Sequence, residues 1–286
     1  MVLWLSVVPV LVFAVSASVA FVGFCVKAAD RNLPFVFDRR TVAMICREAG
    51  ARIVLGALDL PSWFLADGPP TPTGTRRIPV LLVPGLTWNA GALWPLATFL
   101  RQRGYSVWAT RRTSRDAPLA VEAAVLARNL EAWCARTGAT EVDVVAFSTG
   151  GLVAAWYLRN QRPPRVRRLV TVGTAWQGTR MAVFSRGAAN DEIRFGSHVL
   201  DGLFPPSVPT TCIHSPDDPM VVPAASAAPD AGGSLVSIDS GGHLDLLVSA
   251  RVFRAVQTAL EAPGATTGEL RLPPEATIVP PVVEPT

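Results

Sequence analysis

The sequence predicts an α/β protein: a mostly parallel sheet with helices on both faces, preceded by an N-terminal transmembrane helix. Three observations predict it. Between residues 78 and 260, short unbroken Val/Leu/Ile runs alternate with helical patterns, and strands buried on both faces by crossover helices read in that way. The stretch "LWLSVVPVLVFAVSASVAFVGFCV", Leu3–Val26, carries no charge. Third, "VDVVAFSTGGLVAAWYLRN" reads as a strand, a turn of small residues around Ser148, and a helix.

As a helix, Leu3–Val26 would be about 36 Å long at 1.5 Å per residue, enough to cross a bilayer with some tilt. Residues 1–27 are therefore expected to anchor the chain. The competing reading is a signal peptide cleaved after Ser18-Val19-Ala20, leaving a secreted protein. No Lys or Arg precedes the span and the apolar run continues past that site, which favours the anchor. Lys27, Arg31, Arg39 and Arg40 follow the span and by the positive-inside rule favour a cytoplasmic body.

Residues 28–77 are expected to hold an amphipathic helix and a linker. Within "TVAMICREAGARIVLGALDLPSWF" (41–64), Arg47, Glu48 and Arg52 argue against a second span and for a helix lying on the membrane or covering the domain. "ADGPPTPTGTRR" (66–77) is a Pro/Gly/Thr linker. The catalytic domain is expected over 78–260. Its candidate strands are Pro79–Val83, Ser106–Ala109, Val142–Ala146, Val166–Val172, Thr210–His214 and Leu235–Ile238. Candidate helices are Gly91–Arg103, Leu119–Thr137, Gly150–Asn160, Pro223–Ala228 and Leu244–Leu260. A short lid is expected at 175–207, and the Pro/Thr-rich residues 261–286 are expected to form a disordered tail.

Composition excludes several functions. A net charge of +4 over 286 residues, with no basic run interleaved with aromatics, gives no footprint for nucleic acid. The four cysteines are scattered without a C-x-x-C spacing, so neither a zinc site nor a disulfide scaffold is expected; they read as buried or membrane-embedded thiols. No G-x-G-x-x-G or phosphate-binding loop is present. No metal or organic cofactor is expected.

A serine hydroxyl is a weak nucleophile until a neighbour takes its proton. Ser148 lies in Ala-Phe-Ser-Thr-Gly-Gly, with Ala146 where a nucleophile elbow usually has glycine. The tight turn admits only small residues two places either side of the serine, and alanine adds one methyl. A serine that merely caps a helix is the competing reading. The chain has three histidines. His198 lies in a polar stretch and reads as surface, and His214 ends a strand. His243 lies in a Gly-rich loop between a strand and the closing helix, where an exposed base belongs. Asp217 and Asp218, in the turn after another strand, are the candidate carboxylates that would orient the imidazole. The order Ser, Asp, His along the chain is the one α/β-hydrolases use.

Over about residues 78–258 the chain resembles the bacterial lipases and esterases of the α/β-hydrolase superfamily. "IPVLLVPGLTWNAGALWPLATFLRQRGYSVWA" is similar to the family's first strand, oxyanion loop and helix, with Pro84-Gly85 where His-Gly is usual. "VTVGTAWQGTR" is similar to its Gly-Thr-Pro-His stretch, with Ala175-Trp176 in place of Pro-His. "SPDDPMVVP" matches the acid loop in a register that selects Asp218, and "GGHLDLLVS" matches the segment bearing the base. The resemblance implies an α/β-hydrolase fold and two-step acyl transfer on an ester by Ser148, Asp218 and His243. It also implies an oxyanion hole from the backbone N–H groups of Leu86 and Thr149. Trp176, with Phe184 and Phe195, is a candidate for lining an acyl pocket. The substrate expected is a small-molecule or lipid ester met at the membrane. A catalytically silent scaffold of the same fold, or an acyltransferase using the same three residues, are the alternatives. Acyl chain length and oligomeric state are not legible.

Overall fold

Seven parallel strands form one sheet in the order β2-β1-β3-β4-β5-β6-β7. They are β1 (Val80–Val83), β2 (Val107–Ala109), β3 (Val142–Phe147), β4 (Val166–Val172), β5 (Thr210–His214), β6 (Ser234–Ser237) and β7 (Gly268–Glu269). The helices are α1 (Val2–Asp30), α2 (Arg39–Asp59), α3 (Trp94–Arg101), α4 (Leu119–Thr137), α5 (Thr149–Asn160), α6 (Ala188–Glu192) and α7 (Ala250–Glu261). The computed structural model describes residues 2–64, 68–76, 78–114, 116–160, 164–227, 232–239, 241–262 and 268–269.

The pleat of β1 shows how the sequence builds two cores. Val80 and Leu82 face one side with α2, α3 and α7, while Leu81 and Val83 face the other with α4 and α5. Successive side chains of a strand point to opposite faces, so only an unbroken apolar run can fill both. All six candidate strands form, with ends shifted by at most one residue. The stretch expected as one helix over Gly91–Arg103 splits into a 3-10 turn (Ala90–Leu93) and α3, which opens with Trp94-Pro95. Proline is accepted in the first turn of a helix because its missing N–H would have no partner there. The closing helix likewise begins at Ala250, after Ser249 caps it through the N–H of Val252.

Of the two placements expected for the second helix, on the membrane or over the domain, the structure shows the second. α2 covers the domain: Met44, Ile45, Ala49 and Leu55 are buried, and Ala51 and Leu55 belong to the same core as the central strands. A boundary at residue 78 therefore does not separate two cores. Replacing the fully buried Leu55 by alanine should cost about 2–5 kcal/mol of unfolding free energy, read from urea denaturation. A loss below about 1 kcal/mol would show that α2 is only laid on the surface. Cys134 and Cys212 are buried, but Cys46 on α2 is exposed, so the expectation that every thiol is hidden fails there.

α1 is apolar enough over Val10–Asp30 to cross a membrane by length and composition. Val10, Leu11, Phe13, Val15 and Phe21 are exposed, whereas Ser16, Ala20 and the last turns pack on the protein. There Lys27 is buried and donates from Nζ to the main-chain oxygen of Asp218 at 2.7 Å. Asp30 pairs with Arg180 at 2.8 Å. Arg31 donates to the oxygen of Pro216 and Arg40 pairs with Asp217. Three of the four basic residues behind the span thus hold the 216–218 loop, a local role that the orientation argument did not foresee.

The linker over 68–76 also packs rather than hangs free: the N–H of Gly74 donates to Ser106 Oγ at 3.0 Å, and Arg76 pairs with Glu261 at 2.8 Å. In the tail expected to be disordered, Gly268–Glu269 pairs in parallel with β6 as the seventh strand. The tail's residues 263–267 and 270–286 lie outside the described residues.

Candidate active site

The chain runs from β1 outward to β2, then returns to the other side of β1 as β3. Loops leaving β1 and β3 at their carboxyl ends therefore part in opposite directions and open a crevice, the usual ligand position in such sheets. Ser148 stands there, directly after β3, with φ +55°. That left-handed conformation costs a non-glycine residue about 1–3 kcal/mol and persists only where the surroundings impose it. Here the Ser148 N–H donates to Val172 O at 2.8 Å, and its carbonyl accepts from Thr174 Oγ1 at 2.8 Å and from the Gly151 N–H at 3.1 Å.

The turn explains why Ala146 is accepted. A Cβ on Gly150 would meet the main-chain oxygens of Val83 and Pro84 at 2.7 Å, so the crowding comes from the end of β1, not from Ala146. Ala146 instead points into the apolar layer shared with Val83 and Leu152, where a methyl is useful. The requirement for a small residue holds at Gly150, where the end of β1 imposes it.

The structure brings Ser148, His243 and Asp218 together. His243 Nε2 lies 3.0 Å from Ser148 Oγ, and Nδ1 lies 2.7 Å from Asp218 Oδ2. Asp218 is fully buried, and its other oxygen accepts the Met220 N–H at 2.8 Å. Asp217 points away to Arg40 on the surface. Phe147 packs against the imidazole with centroids 4.9 Å apart. Gly173, at φ +64°, also lies against the imidazole, since a Cβ there would sit 3.3 Å from the ring. Burial pulls the His243 pKa down. The charge and hydrogen bond of Asp218, then the charge of Glu48, more than offset this against Arg52, and the net shift is upward.

The other two histidines lie elsewhere. His198 is exposed beside Asp201. His214 is buried at the end of β5, and neither ring nitrogen has a hydrogen-bond partner among the described residues.

Leu86 and Thr149 both line the cavity over Ser148. Thr149 is the first residue of α5, so its N–H has no intrahelical acceptor. The loop bearing Leu86 runs against the serine: a Cβ on Gly85 would lie 3.0 Å from that of Ser148. The loop, which has Pro84 where histidine is usual, is supported from α2. Asp59 at its end accepts the N–H groups of Asn89, at 3.0–3.1 Å, and of Ala92, at 3.1 Å. Asn89 in turn accepts the Arg112 N–H at 2.9 Å.

The cavity is about 500 Å³, and residues of the 175–207 insertion, among them Thr179, Met181, Ala182 and Ile193, form part of its lining. Trp176, Phe184 and Phe195 are not among its lining residues. Trp176 is 3% exposed and packs edge-on against Phe204 in the core beneath the insertion, while Phe184 is exposed. None of the three lines the cavity at Ser148; Trp176 and Phe195 instead border a separate hollow of about 510 Å³ together with Phe204. Aromatic residues in an insertion have two faces to fill, and here the core beneath won Trp176. Sequence reading also missed Glu48 and Arg52, which reach the cavity wall from α2. Their spacing of one helical turn was visible, but not which surface that face would meet.

A family model described as the alpha/beta hydrolase fold matches residues 78–191. None of the curated proteins compared matches the sequence. Among solved structures, lipase B of Aspergillus fumigatus is similar with a TM-score of 0.58 and 20% identity, over 66% of this chain and 53% of that one. The mature lipase BlEst2 of Bacillus licheniformis follows at 0.57 and 16%, over 67% and 96%. A lipase-esterase related protein of Clostridium acetobutylicum gives 0.53 and 14%, over 66% and 97%. This chain thus spans about half the length of the fungal lipase and most of the two bacterial proteins. Strand order, parallel register and the family model agree, and the chain has the α/β-hydrolase fold.

Proposed function

We propose that the protein is a serine carboxylic-ester hydrolase of the esterase or lipase type. The observation that carries this reading is the relay Asp218–His243–Ser148, at 2.7 and 3.0 Å, ending on a serine in a strained left-handed turn. A silent turn would have no use for that strain. In the mechanism, Ser148 Oγ attacks the ester carbonyl while Nε2 of His243 takes its proton, and Asp218 steadies the imidazolium. The N–H groups of Leu86 and Thr149 receive the oxyanion. The tetrahedral intermediate expels the alcohol, which takes the proton back from His243. Water, deprotonated by the same imidazole, then releases the acid from the acyl-enzyme and restores the serine. A cavity of about 500 Å³ suits short to medium acyl chains within the usual range for small-molecule sites.

We further propose that α1 anchors the enzyme. From Val2 to Val22, with Ser16 and Ala20 turned to the protein, it would run about 32 Å at 1.5 Å per residue, matching a bilayer core. The acid loop would then sit at the membrane surface, near lipid-derived esters. The four basic residues favour a cytoplasmic domain. One experiment tests both parts. A fluorophosphonate probe should label the protein at Ser148, and the labelled chain should stay with membranes through alkaline carbonate. Label on another residue, or none, would refute the nucleophile. A labelled chain that washes off and begins near Phe21 would replace the anchor with a cleaved signal peptide. Labelling of intact spheroplasts by an impermeant probe would reverse the orientation.

A further inference from the structure

Glu48 comes from α2, outside the segment matched by the family model, and is 5% exposed. Its oxygens accept the N–H of Leu244 at 2.9 Å each and the N–H of Asp245 at 3.3 Å. These are the two residues directly after His243. On the other side of the histidine, a Cβ on Gly242 would lie 2.5 Å from Glu48 Oε2. The carboxylate therefore fills the hollow of the loop that carries the imidazole.

Those amide donors do not require a charge. A neutral acceptor could satisfy one of them, and a buried carboxylate costs far more than a buried amide unless something compensates. What a carboxylate adds is a field, felt most by the group that becomes a cation in the reaction. We propose that Glu48 is a positioning residue for the base: a second carboxylate that holds the His243 loop by its main-chain amides and stabilises the imidazolium alongside Asp218. The catalytic consequence rests on the hydrolase reading; the placement does not.

The charges around the pair are few. His243 is faced by Asp218, Glu48 and Arg52, of which the two acids favour its charged form and Arg52 opposes it. Glu48 is faced by His243, by Asp218 and by Arg52 one turn along α2. Asp245 is turned to Arg47 at 3.2 Å. Burial pushes the Glu48 pKa up to about 6, so it is ionised at neutral pH and loses its charge as the solution turns acid.

The test is Glu48→Gln in the full-length protein in detergent micelles. With three histidines in the chain, the imidazole signal of His243 can be assigned by its loss in His243→Asn and titrated by NMR. It should titrate at lower pH in Glu48→Gln than in the wild type. The acid limb of kcat/KM for p-nitrophenyl butyrate should move the same way, with kcat lower by about tenfold, the scale of lost supporting contacts around a reactive group. A group that only braced the loop would lower kcat and leave the limb in place. An unmoved His243 titration in folded Glu48→Gln protein therefore overturns the proposal. Should that variant not fold, Glu48→Asp carries the test, since it keeps a charge but withdraws it from the amides. It should retain much of the wild-type titration yet lose kcat, and wild-type kcat would overturn the positioning role. The titration needs no turnover, so a shifted histidine in a protein without esterase activity would refute the function and keep the placement.

Discussion

Alanine at position 148 should leave a folded protein that no longer turns over p-nitrophenyl esters. In an unrelated serine protease, removing the nucleophile or its base costs about 10⁶ in kcat, and the residue left over comes from the oxyanion donors and binding. A loss of at least about 10⁴ is expected here, measured with contaminating esterases excluded. Ser148 is also the residue that stores strain, at φ +55°. Alanine still has a Cβ and gives no relief, so stability should be little changed. Ser148→Gly should be neutral or more stable, because glycine enters the left-handed region without the Cβ penalty. Activity above a few per cent in Ser148→Ala would place the nucleophile elsewhere.

The three candidate site residues were legible because each sits in a local pattern that the fold then brings together. Ser148, Asp218 and His243 each follow a strand end, and a parallel sheet gathers such ends on one edge. Motif register chose Asp218 over Asp217, and the structure turns the former to His243 and the latter to Arg40. What stayed hidden was long-range. Glu48 meets Leu244 across 196 positions, and Lys27 meets Asp218 across 191. Helical periodicity says that residues 48 and 52 share a face, yet not whether water, lipid or a catalytic loop lies against it. The charges of α2 read as signs of a surface helix because an isolated stretch gives no hint of a buried acceptor. Trp176 shows the opposite case. Its type suggested an apolar pocket, but an indole fills a core beneath an insertion equally well, and Phe204 supplied the partner.

One consequence of the N-terminal contacts concerns processing. Cleavage after Ala20 would remove α1 up to that residue but spare Lys27, Asp30 and all of α2. The acid loop would keep its hold on Lys27, and the base loop its hold on Glu48. Anchored and secreted forms would therefore carry the same reactive geometry.

The sharpest contrast between neighbouring residues is expected in the acid loop. Asp218→Asn preserves shape and burial but replaces an acceptor with an amide that can present its donor to Nδ1. The imidazole is then driven toward the wrong tautomer, which in the serine-protease case lowers kcat about 10⁴-fold. The loss should be of that order here, because Asp218 is 1% exposed and no solvent can take its place. The buried Lys27 bonds the main-chain oxygen of Asp218, not its carboxylate, so the loop's backbone should stay in place and the loss should appear in kcat. Asp217→Asn removes a pair with an arginine whose side chain is 62% exposed. Pairs of that kind contribute about 0–1 kcal/mol and nothing to the chemistry, so activity should stay within about twofold of wild type. Side-by-side kinetics of the two variants decide the matter: equal losses, or the larger loss at Asp217, would mean that a carboxylate other than Asp218 orients the base.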